Sequence, residues 1–286
     1  MKILDVLLSV RCAMKSRVVF SHIPKTAGTS LNFMLDRYFG SSHLRVIYRK
    51  GTEKATYRPQ DLRKDLLVCP QAQLIAGHSL KPFVDFEEFS EKLEWFTFFR
   101  NPVDRYISHY VHQQTNSKRP RMDLYAWSKR YNRHNWCVRM IAGEEDLGKA
   151  KEFLESKFKF IGLTESFDDS VKMLKAAFNW EKFDVKLPQQ KMIGRSNAIK
   201  DEIKDNRSKY DDFLHEQNAL DIELYDYFIK HLWQKQRAAL LSSDQGNEAC
   251  LSEAKHKRNL LLNKMSRNLI YRPYVYLDKT CQKFMA

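Results

Sequence analysis

Residues 17–30 read RVVFSHIPKTAGTS, and this stretch decides the fold. Residues 17–23 form a short β-branched and aromatic run, which is typical of a buried strand, and Pro24 ends it. From residue 29 to residue 39 apolar side chains recur at helical spacing, and Gly40 follows as a helix stop. We therefore expect a buried strand, a tight loop over 24–28 and a helix.

Similar patterns recur along the chain. Short apolar runs predict further strands at 44–48, 73–76, 95–99 and 159–163, and helical spacing predicts helices over 103–112, 166–178 and 219–241. Strands that alternate with helices indicate an α/β fold with a mainly parallel sheet. We expect one domain over 1–244 and a basic, helical C-terminal tail over 245–286.

Composition limits the possible partners and compartments. The 286-residue chain carries a net charge of +14, which favours an anionic partner: nucleic acid, a membrane surface, a phosphorylated cofactor or an acidic polymer. Its five cysteines are widely spaced, which argues against a disulfide framework or a zinc site. The apolar run 3–10 is too short to span a membrane and lacks the features of a signal peptide. We expect a cytoplasmic protein, with membrane association left open.

The loop between the first strand and helix favours anion binding. The first amides of a helix lack intrahelical partners, and the helix dipole adds positive potential there. Gly28 permits a close approach of the backbone, Thr26, Thr29 and Ser30 offer hydroxyls, and Lys25 adds a full charge. The alternative is a sharp turn with solvated side chains.

This loop differs from the Walker A motif of NTPases, in which the lysine follows the glycine. Here Lys25 precedes Gly28, and the strand over 95–99 ends at Arg100 rather than at a magnesium-binding acid. Arg100 offers a bidentate fork to a phosphate. Both departures argue against a P-loop kinase or NTPase, which is kept as the alternative enzyme. A non-enzymatic binder of anionic polymers or membranes is a third hypothesis.

A second strand-to-helix junction follows at FFRNPVDRYIS, residues 98–108. Pro102 suits a first helical turn, and Asn101 can cap that helix. Arg100 and Ser108 could hold one phosphate from two sides. In the alternative, Arg100 pairs with Asp104 and Ser108 is plain surface.

Together, residues 21–30 and 98–108 resemble the PAPS-dependent carbohydrate sulfotransferases of the heparan and chondroitin O-sulfotransferase type and their soluble bacterial relatives, where PAPS is 3′-phosphoadenosine 5′-phosphosulfate. Weaker similarities lie at 76–78, 162–167 and 221–225. The resemblance implies a P-loop-like parallel sheet flanked by helices, PAPS as the donor, no metal, and transfer of the sulfuryl group to a carbohydrate hydroxyl.

The resemblance also assigns roles. Lys25 contacts the bridging oxygen and the 5′-phosphosulfate, and Arg100 and Ser108 hold the 3′-phosphate. The loop that cradles the 5′ group consists of Thr26, Ala27, Gly28, Thr29 and Ser30. Arg195, with Ser196 and Asn197, closes over the nucleotide.

The acceptor hydroxyl needs a base, for which histidine suits neutral pH. His78 follows the strand over 73–76 and is the expected catalytic base; a structural histidine is the alternative. His109 and His112 are weaker candidates, His22 is expected to be structural, and a glutamate at 87 or 88 could replace histidine.

Basic stretches suggest the acceptor and a membrane contact. The segment 118–133, with Tyr125, Trp127 and Tyr131, could line an acceptor groove or form a solvated loop, and Asn135 and Arg139 resemble a family helix that borders the acceptor. Residues 255–272 could lie on anionic lipid or pack on the domain. Nucleic acid is not an expected partner, because only charge supports it.

Overall fold

The computed structural model describes residues 16–46, 56–116, 120–186, 198–241 and 251–277. Its centre is a five-stranded sheet in the order β2-β3-β1-β4-β5. The strands are β1 Arg17–Ser21, β2 His43–Arg45, β3 Leu74–Gly77, β4 Leu93–Phe99 and β5 Phe158–Leu163. All four pairings are parallel, so the carboxyl ends of the strands share one edge. The predicted α/β fold is thereby confirmed.

Helices connect and cover these strands. The helices as far as residue 177 are α1 Gly28–Phe39, α2 Pro59–Val68, α3 Pro102–Asn116, α4 Leu124–Tyr131, α5 Trp136–Ala142, α6 Leu147–Ser156 and α7 Phe167–Ala177. The later helices are α8 Ala198–Asp205, α9 Arg207–Gln217, α10 Ala219–Tyr227, α11 Gln234–Leu241 and α12 Glu253–Met265. Short π-helical segments follow α10 at Phe228–Trp233 and α12 at Ser266–Tyr271. None of the helices in the described ranges has the length and apolar character of a membrane span.

The core forms on both faces of the sheet. Phe20 of β1 stacks on Phe96 of β4 with ring centroids 4.8 Å apart, and both side chains are fully buried. Phe98 meets Phe20 edge-on at 6.5 Å. Each such side chain stabilises the fold by roughly 1.5–3 kcal/mol through burial. These contacts hold β1 at the centre of the sheet, and they therefore fix the start of the loop that follows it.

A second apolar cluster lies away from the sheet, among α3, α4, α8 and α9. Trp127 of α4 fills its centre and is fully buried, with its indole N–H donating to Gln113 Oε1 at 2.7 Å. Tyr106 and Tyr110 of α3 pack edge-on against the same indole. This cluster anchors α3, the helix that follows Arg100.

Candidate active site

Three side chains follow directly after three neighbouring strands. His78 comes after β3, His22 after β1 and Arg100 after β4, and the sheet order is β3-β1-β4. Ser21 lies opposite Gly77 in the β1–β3 register, which brings the next residues of the two strands together. The carboxyl edge of a parallel sheet is where open α/β domains bind ligands.

The loop between β1 and α1 has a strained backbone. Lys25 and Ala27 adopt positive φ angles of 73° and 57°, in the left-handed region that costs a residue with a Cβ roughly 1–2 kcal/mol. Thr26, between them, is fully buried and donates its hydroxyl hydrogen to the Ile23 carbonyl at 2.8 Å. Strain of this kind persists where the surrounding structure enforces it, most often at functional sites.

The first turn of α1 leaves three amides without intrahelical acceptors. The first intrahelical bond runs from Leu31 N to Ala27 O at 3.1 Å, so the N–H groups of Gly28, Thr29 and Ser30 point out of the helix start. Ala27 gives no side-chain cap, and the first turn holds no acidic residue. These amides and the helix dipole favour an anion at this position.

Gly28 is required because His22 packs against it. A Cβ added at Gly28 would lie 1.7 Å from His22 Nε2, far inside van der Waals contact. The His22 ring also stacks on Phe20, with ring centroids 5.0 Å apart. Any side chain at 28 must therefore displace the histidine or the loop.

Lys25 and Arg100 lie next to each other. Arg100 Nη1 donates to the Lys25 carbonyl oxygen at 3.4 Å. Burial and then the charge of Arg100 lower the pKa of Lys25. Within the described ranges neither cation forms an ion pair with a carboxylate. Two half-buried positive charges thus lie together without an ion-pair partner among the described residues, and an anionic ligand would supply one.

The junction after β4 is built as predicted around Asn101. Its Oδ1 accepts from the backbone N–H groups of Val103 at 3.1 Å and Asp104 at 3.2 Å, and Pro102 is the first residue of α3. Arg100 bonds to the Lys25 carbonyl, and the alternative ion pair with Asp104 is not formed between these two described residues. Ser108 is half-buried on α3, and no side chain or backbone group in the described ranges bonds to its hydroxyl.

The two histidines beside the loop form a pair. His78 Nδ1 donates to the His22 carbonyl oxygen at 2.7 Å, and the rings lie 4.1 Å apart. Because a carbonyl can only accept, this bond leaves His78 Nε2 as the unprotonated nitrogen of the neutral ring. Burial lowers the pKa of both rings. His78 is also the more exposed of the two, since it lies at the surface of the site.

Two further histidines lie on α3. Burial, and then the charges of Arg105, Arg133, Lys25 and His112, together lower the pKa of His109 to about 3. Burial and the charge of Lys25 also lower the pKa of His112. The charge of Lys25 therefore lowers the pKa of both rings. The His109 ring stays neutral at physiological pH and is too weak a base to take a proton.

A set of donors near α3 and α5 lacks acceptors within the described part of the chain. These buried atoms are His109 Nδ1, Arg133 Nε and Trp136 Nε1. The Arg133 guanidinium lies over the Trp136 ring at 4.3 Å, and Arg139 approaches the same ring at 5.7 Å. Buried polar groups are nearly always hydrogen-bonded, so this cluster fits a ligand that offers acceptors.

A buried carboxylate positions α5. Asp221 of α10 accepts from Cys137 N and Val138 N, both at 2.9 Å, and lies 3.8 Å from Arg105 Nη2. Burial raises the pKa of Asp221. The residues 221–225, only a weak similarity in the sequence, thus include the group that ties α5 to α3.

Several sequence-predicted residues lie elsewhere. Glu87 and Glu88 precede β4, at the sheet edge opposite the loop, and both pair with Arg63. They are therefore excluded as the base. Arg195, Ser196 and Asn197 lie outside the described residues, as do Lys118 and Arg119.

Two of the three aromatic side chains for which the sequence suggested an acceptor groove, Trp127 and Tyr125, pack against other helices instead. Trp127 is fully buried in the second apolar cluster, so it cannot stack on a sugar. The Tyr125 ring packs on Tyr210 and Phe213, and its hydroxyl donates to the Lys209 carbonyl at 3.1 Å. The prediction for Trp127 was wrong because a helix of this spacing buries its largest side chain against α3.

One residue near His78 was not predicted from the sequence as part of the site. Lys81 lies four residues beyond β3 and donates to the Met140 thioether of α5. Burial lowers the pKa of Lys81 to about 7. The sequence signal that could have indicated this residue is a lysine between apolar residues, shortly after the end of β3.

Comparison with known families matches residues 9–228 to the sulfotransferase family. No curated protein is similar enough to the chain to match it. Members of this family transfer sulfuryl groups and generally use PAPS. The match contains both strand-to-helix junctions and extends to the end of α10. The chain therefore belongs to the sulfotransferase family of transferase enzymes.

Proposed function

We propose that this enzyme moves the sulfuryl group of PAPS to a hydroxyl of a carbohydrate or glycoconjugate. The observation that carries the proposal is the pair of half-buried cations, Lys25 and Arg100, which lie together without a carboxylate partner in the described ranges. A nucleotide with anionic groups at both its 5′ and 3′ positions would neutralise both.

The 5′-phosphosulfate fits the loop after β1. The outward amides of Gly28, Thr29 and Ser30 offer donors, and the backbone of Thr26 and Ala27 shapes the cradle. The Thr26 hydroxyl is already used within the loop. We therefore assign the 5′ group to backbone amides, to Lys25 and to the hydroxyls of Thr29 and Ser30.

The 3′-phosphate fits Arg100 and Ser108. Asn101 holds the start of α3, so Ser108 projects from a helix fixed at its first turn. The Arg100 guanidinium keeps donors beyond its bond to the Lys25 carbonyl, because a guanidinium carries five N–H groups. Arg195 stays a proposed further contact.

In-line transfer needs charge stabilisation at the leaving group. The acceptor oxygen forms a bond to sulfur as the bond from sulfur to the 5′-phosphate oxygen breaks, and the electron pair remains on that phosphate. Lys25 and the α1 amides would stabilise this charge, the kind of preorganised contribution that is often the largest in catalysis.

His78 Nε2 is the proposed acceptor of the hydroxyl proton. Its hydrogen bond through Nδ1 fixes the tautomer, and its lowered pKa keeps the ring neutral and able to take a proton near pH 7. His22 supports the ring of His78 through its backbone carbonyl and by stacking.

We place the acceptor beside α3 and α5. The guanidinium groups of Arg133 and Arg139 lie over the Trp136 ring there and make this surface positive. Two of its nitrogens, Trp136 Nε1 and Arg133 Nε, have no hydrogen-bond acceptor within the described ranges. Aromatic faces bind sugar rings, and the cations favour an acidic saccharide. Asn135, which donates to Glu145 Oε2 at 3.0 Å and accepts from Leu220 N at 3.0 Å, fixes the start of α5.

The direct experiment is incubation of the full chain with radiolabelled PAPS and a panel of glycans, glycolipids and small alcohols. Label transferred to a saccharide supports the proposal. PAPS binding with transfer only to non-carbohydrate alcohols would contradict the acceptor class. Magnesium-dependent ATP turnover without transfer from PAPS would contradict the donor.

A further inference from the structure

The C-terminal helical segment, residues 253–277, docks on the domain through one face. Asn259 Nδ2 donates to the Arg37 and Tyr38 carbonyls at 2.8 and 2.9 Å, near the end of α1. Asn263 Nδ2 donates to the Gly40 and His43 carbonyls at 2.8 and 3.0 Å. The orientation of the segment is thereby fixed.

The docking continues at the end of the π-helical segment. The Tyr271 hydroxyl donates to Asp65 Oδ2 at 2.7 Å, and Tyr57 donates to the same oxygen at the same distance. Tyr271 is buried, as is Val275 one turn further on. Because these contacts use one side of the segment, its other side faces outward along its whole length.

That outward face is apolar to a degree found nowhere else in the described ranges. The described ranges expose eight large hydrophobic side chains. Six of them lie in this segment, each between 46% and 72% exposed. They are Leu261, Met265, Leu269, Ile270, Tyr276 and Leu277. Soluble proteins rarely leave such a concentration of apolar side chains on one surface without a partner.

The charges around this face have one sign. Lys257, Arg258, Lys264 and Arg272 are all exposed. The segment contains one acidic residue, Glu253, and Arg37 donates to its carboxylate at 3.0 Å. The face therefore combines exposed apolar side chains with basic ones that outnumber the single acid of the segment.

We propose that this face binds the surface of an anionic lipid bilayer, with the segment lying in the plane of the interface. Basic residues are attracted to anionic headgroups, while apolar side chains insert among the acyl chains below them. The proposal does not depend on the identity of the acceptor or the donor.

Charge favours lipid over the other occupants of such a face. In a symmetric dimer the same patch meets itself, which would set Lys257, Lys264 and Arg272 against a second set of cations. Nucleic acid would match the charge but would leave the apolar side chains unburied. An anionic bilayer satisfies both properties.

The experiment is cosedimentation of the full chain with vesicles of phosphatidylcholine alone and with phosphatidylserine added. We expect binding to the mixed vesicles that weakens as salt is raised. Lys257→Gln, Arg258→Gln and Lys264→Gln together should lower the partition coefficient by roughly a hundredfold, since each basic residue adds about 1 kcal/mol at an anionic surface.

Leu269→Ser should weaken binding by the loss of insertion, with Leu67→Ser as the matched control, because Leu67 is 55% exposed but lies on α2. Circular dichroism and the thermal unfolding midpoint verify that each variant is folded. Absence of binding to the mixed vesicles, or binding that neither set of changes lowers, would overturn the proposal. A dimer that Leu269→Ser dissociates would assign the face to a second copy instead.

Discussion

Arg100 Nη1 donates a hydrogen bond to the backbone carbonyl of Lys25 at 3.4 Å, so the two strand-to-helix junctions are in direct contact. The contact joins residues 75 positions apart in the sequence. It holds two positive side chains at one edge of the sheet, where repulsion between them would separate the junctions. A nucleotide with two anionic groups would neutralise both cations, so that attraction to the ligand replaces the repulsion between them.

Lys25→Ala should lower turnover far more than PAPS affinity. In the proposed mechanism its ammonium acts on charge that develops at the leaving oxygen, and loss of one such donor typically costs about 100- to 1,000-fold in rate. Single-turnover kinetics measure the chemical step, and calorimetry measures PAPS binding. Lys172→Ala, an exposed change on α7, is the control. An unchanged chemical step in Lys25→Ala would remove its catalytic role.

Gly28→Ala should abolish nucleotide binding, because the new Cβ would overlap the His22 ring. Gly148→Ala is the matched control, since a Cβ there meets only Asp146 Oδ1 at 3.4 Å, and we expect it to leave binding unchanged. His22→Ala combined with Gly28→Ala should restore part of the binding by removing the overlap. If Gly28→Ala binds PAPS as well as the original chain does, the close packing of His22 is not needed.

His78→Ala should lower kcat by about 100- to 10,000-fold, the usual contribution of a general base. Burial lowers the pKa of His78, and the charges of Lys81 and Arg45 add to this, while its bond to His22 opposes it. The ring therefore protonates only below the ordinary histidine pKa. We expect kcat/KM to stay level down to about pH 6.5 and to fall in more acid solution.

His215→Ala, on the exposed face of α9, is the control for that variant. A pH profile whose acid limb persists in His78→Ala would assign the limb to another group. Full activity in His78→Ala would rule out its role as the base.

His109 should make the fold sensitive to acid. Its folded-state pKa of about 3 lies below the ordinary value of 6.5, so the unfolded chain takes up the proton first as the pH falls. Its stabilising contribution is complete above about pH 6.5 and is lost as the pH falls toward about 3. Between about pH 7 and pH 4 the loss is about 3 kcal/mol.

His109→Gln retains a polar side chain of similar size that does not titrate. Urea unfolding of the two proteins across this pH range gives the contribution of His109 as the difference in their slopes. Parallel pH dependences would show that burial of this ring does not exclude its proton.

The sequence predicted the sheet and the two junctions because both are local patterns. Short β-branched runs such as 17–23 can bury both faces only as central strands, and Asn101 before Pro102 marks a helix start. The contact between His22 and Gly28 was not predictable, because it depends on the φ angles of the loop between them.

Contacts between residues distant in sequence were harder to predict. Trp127 looked available for stacking because α4 is short and basic, yet packing against α3 buries it. Asp221 was only a weak similarity, and its role at the start of α5 depends on a contact between positions 84 apart. Spacing in the sequence carries no information about such tertiary contacts.

The proposed function requires that one nucleotide reach both junctions. Calorimetry should therefore compare 3′-phosphoadenosine 5′-phosphate with adenosine 5′-phosphate, on the original chain and on Arg100→Ala. We expect the original chain to prefer the 3′-phosphorylated nucleotide by at least about tenfold, as a charge-assisted contact of roughly 1.5–3 kcal/mol implies, and Arg100→Ala to lose that preference. Equal affinity for both nucleotides, or a preference that survives Arg100→Ala, would contradict the account.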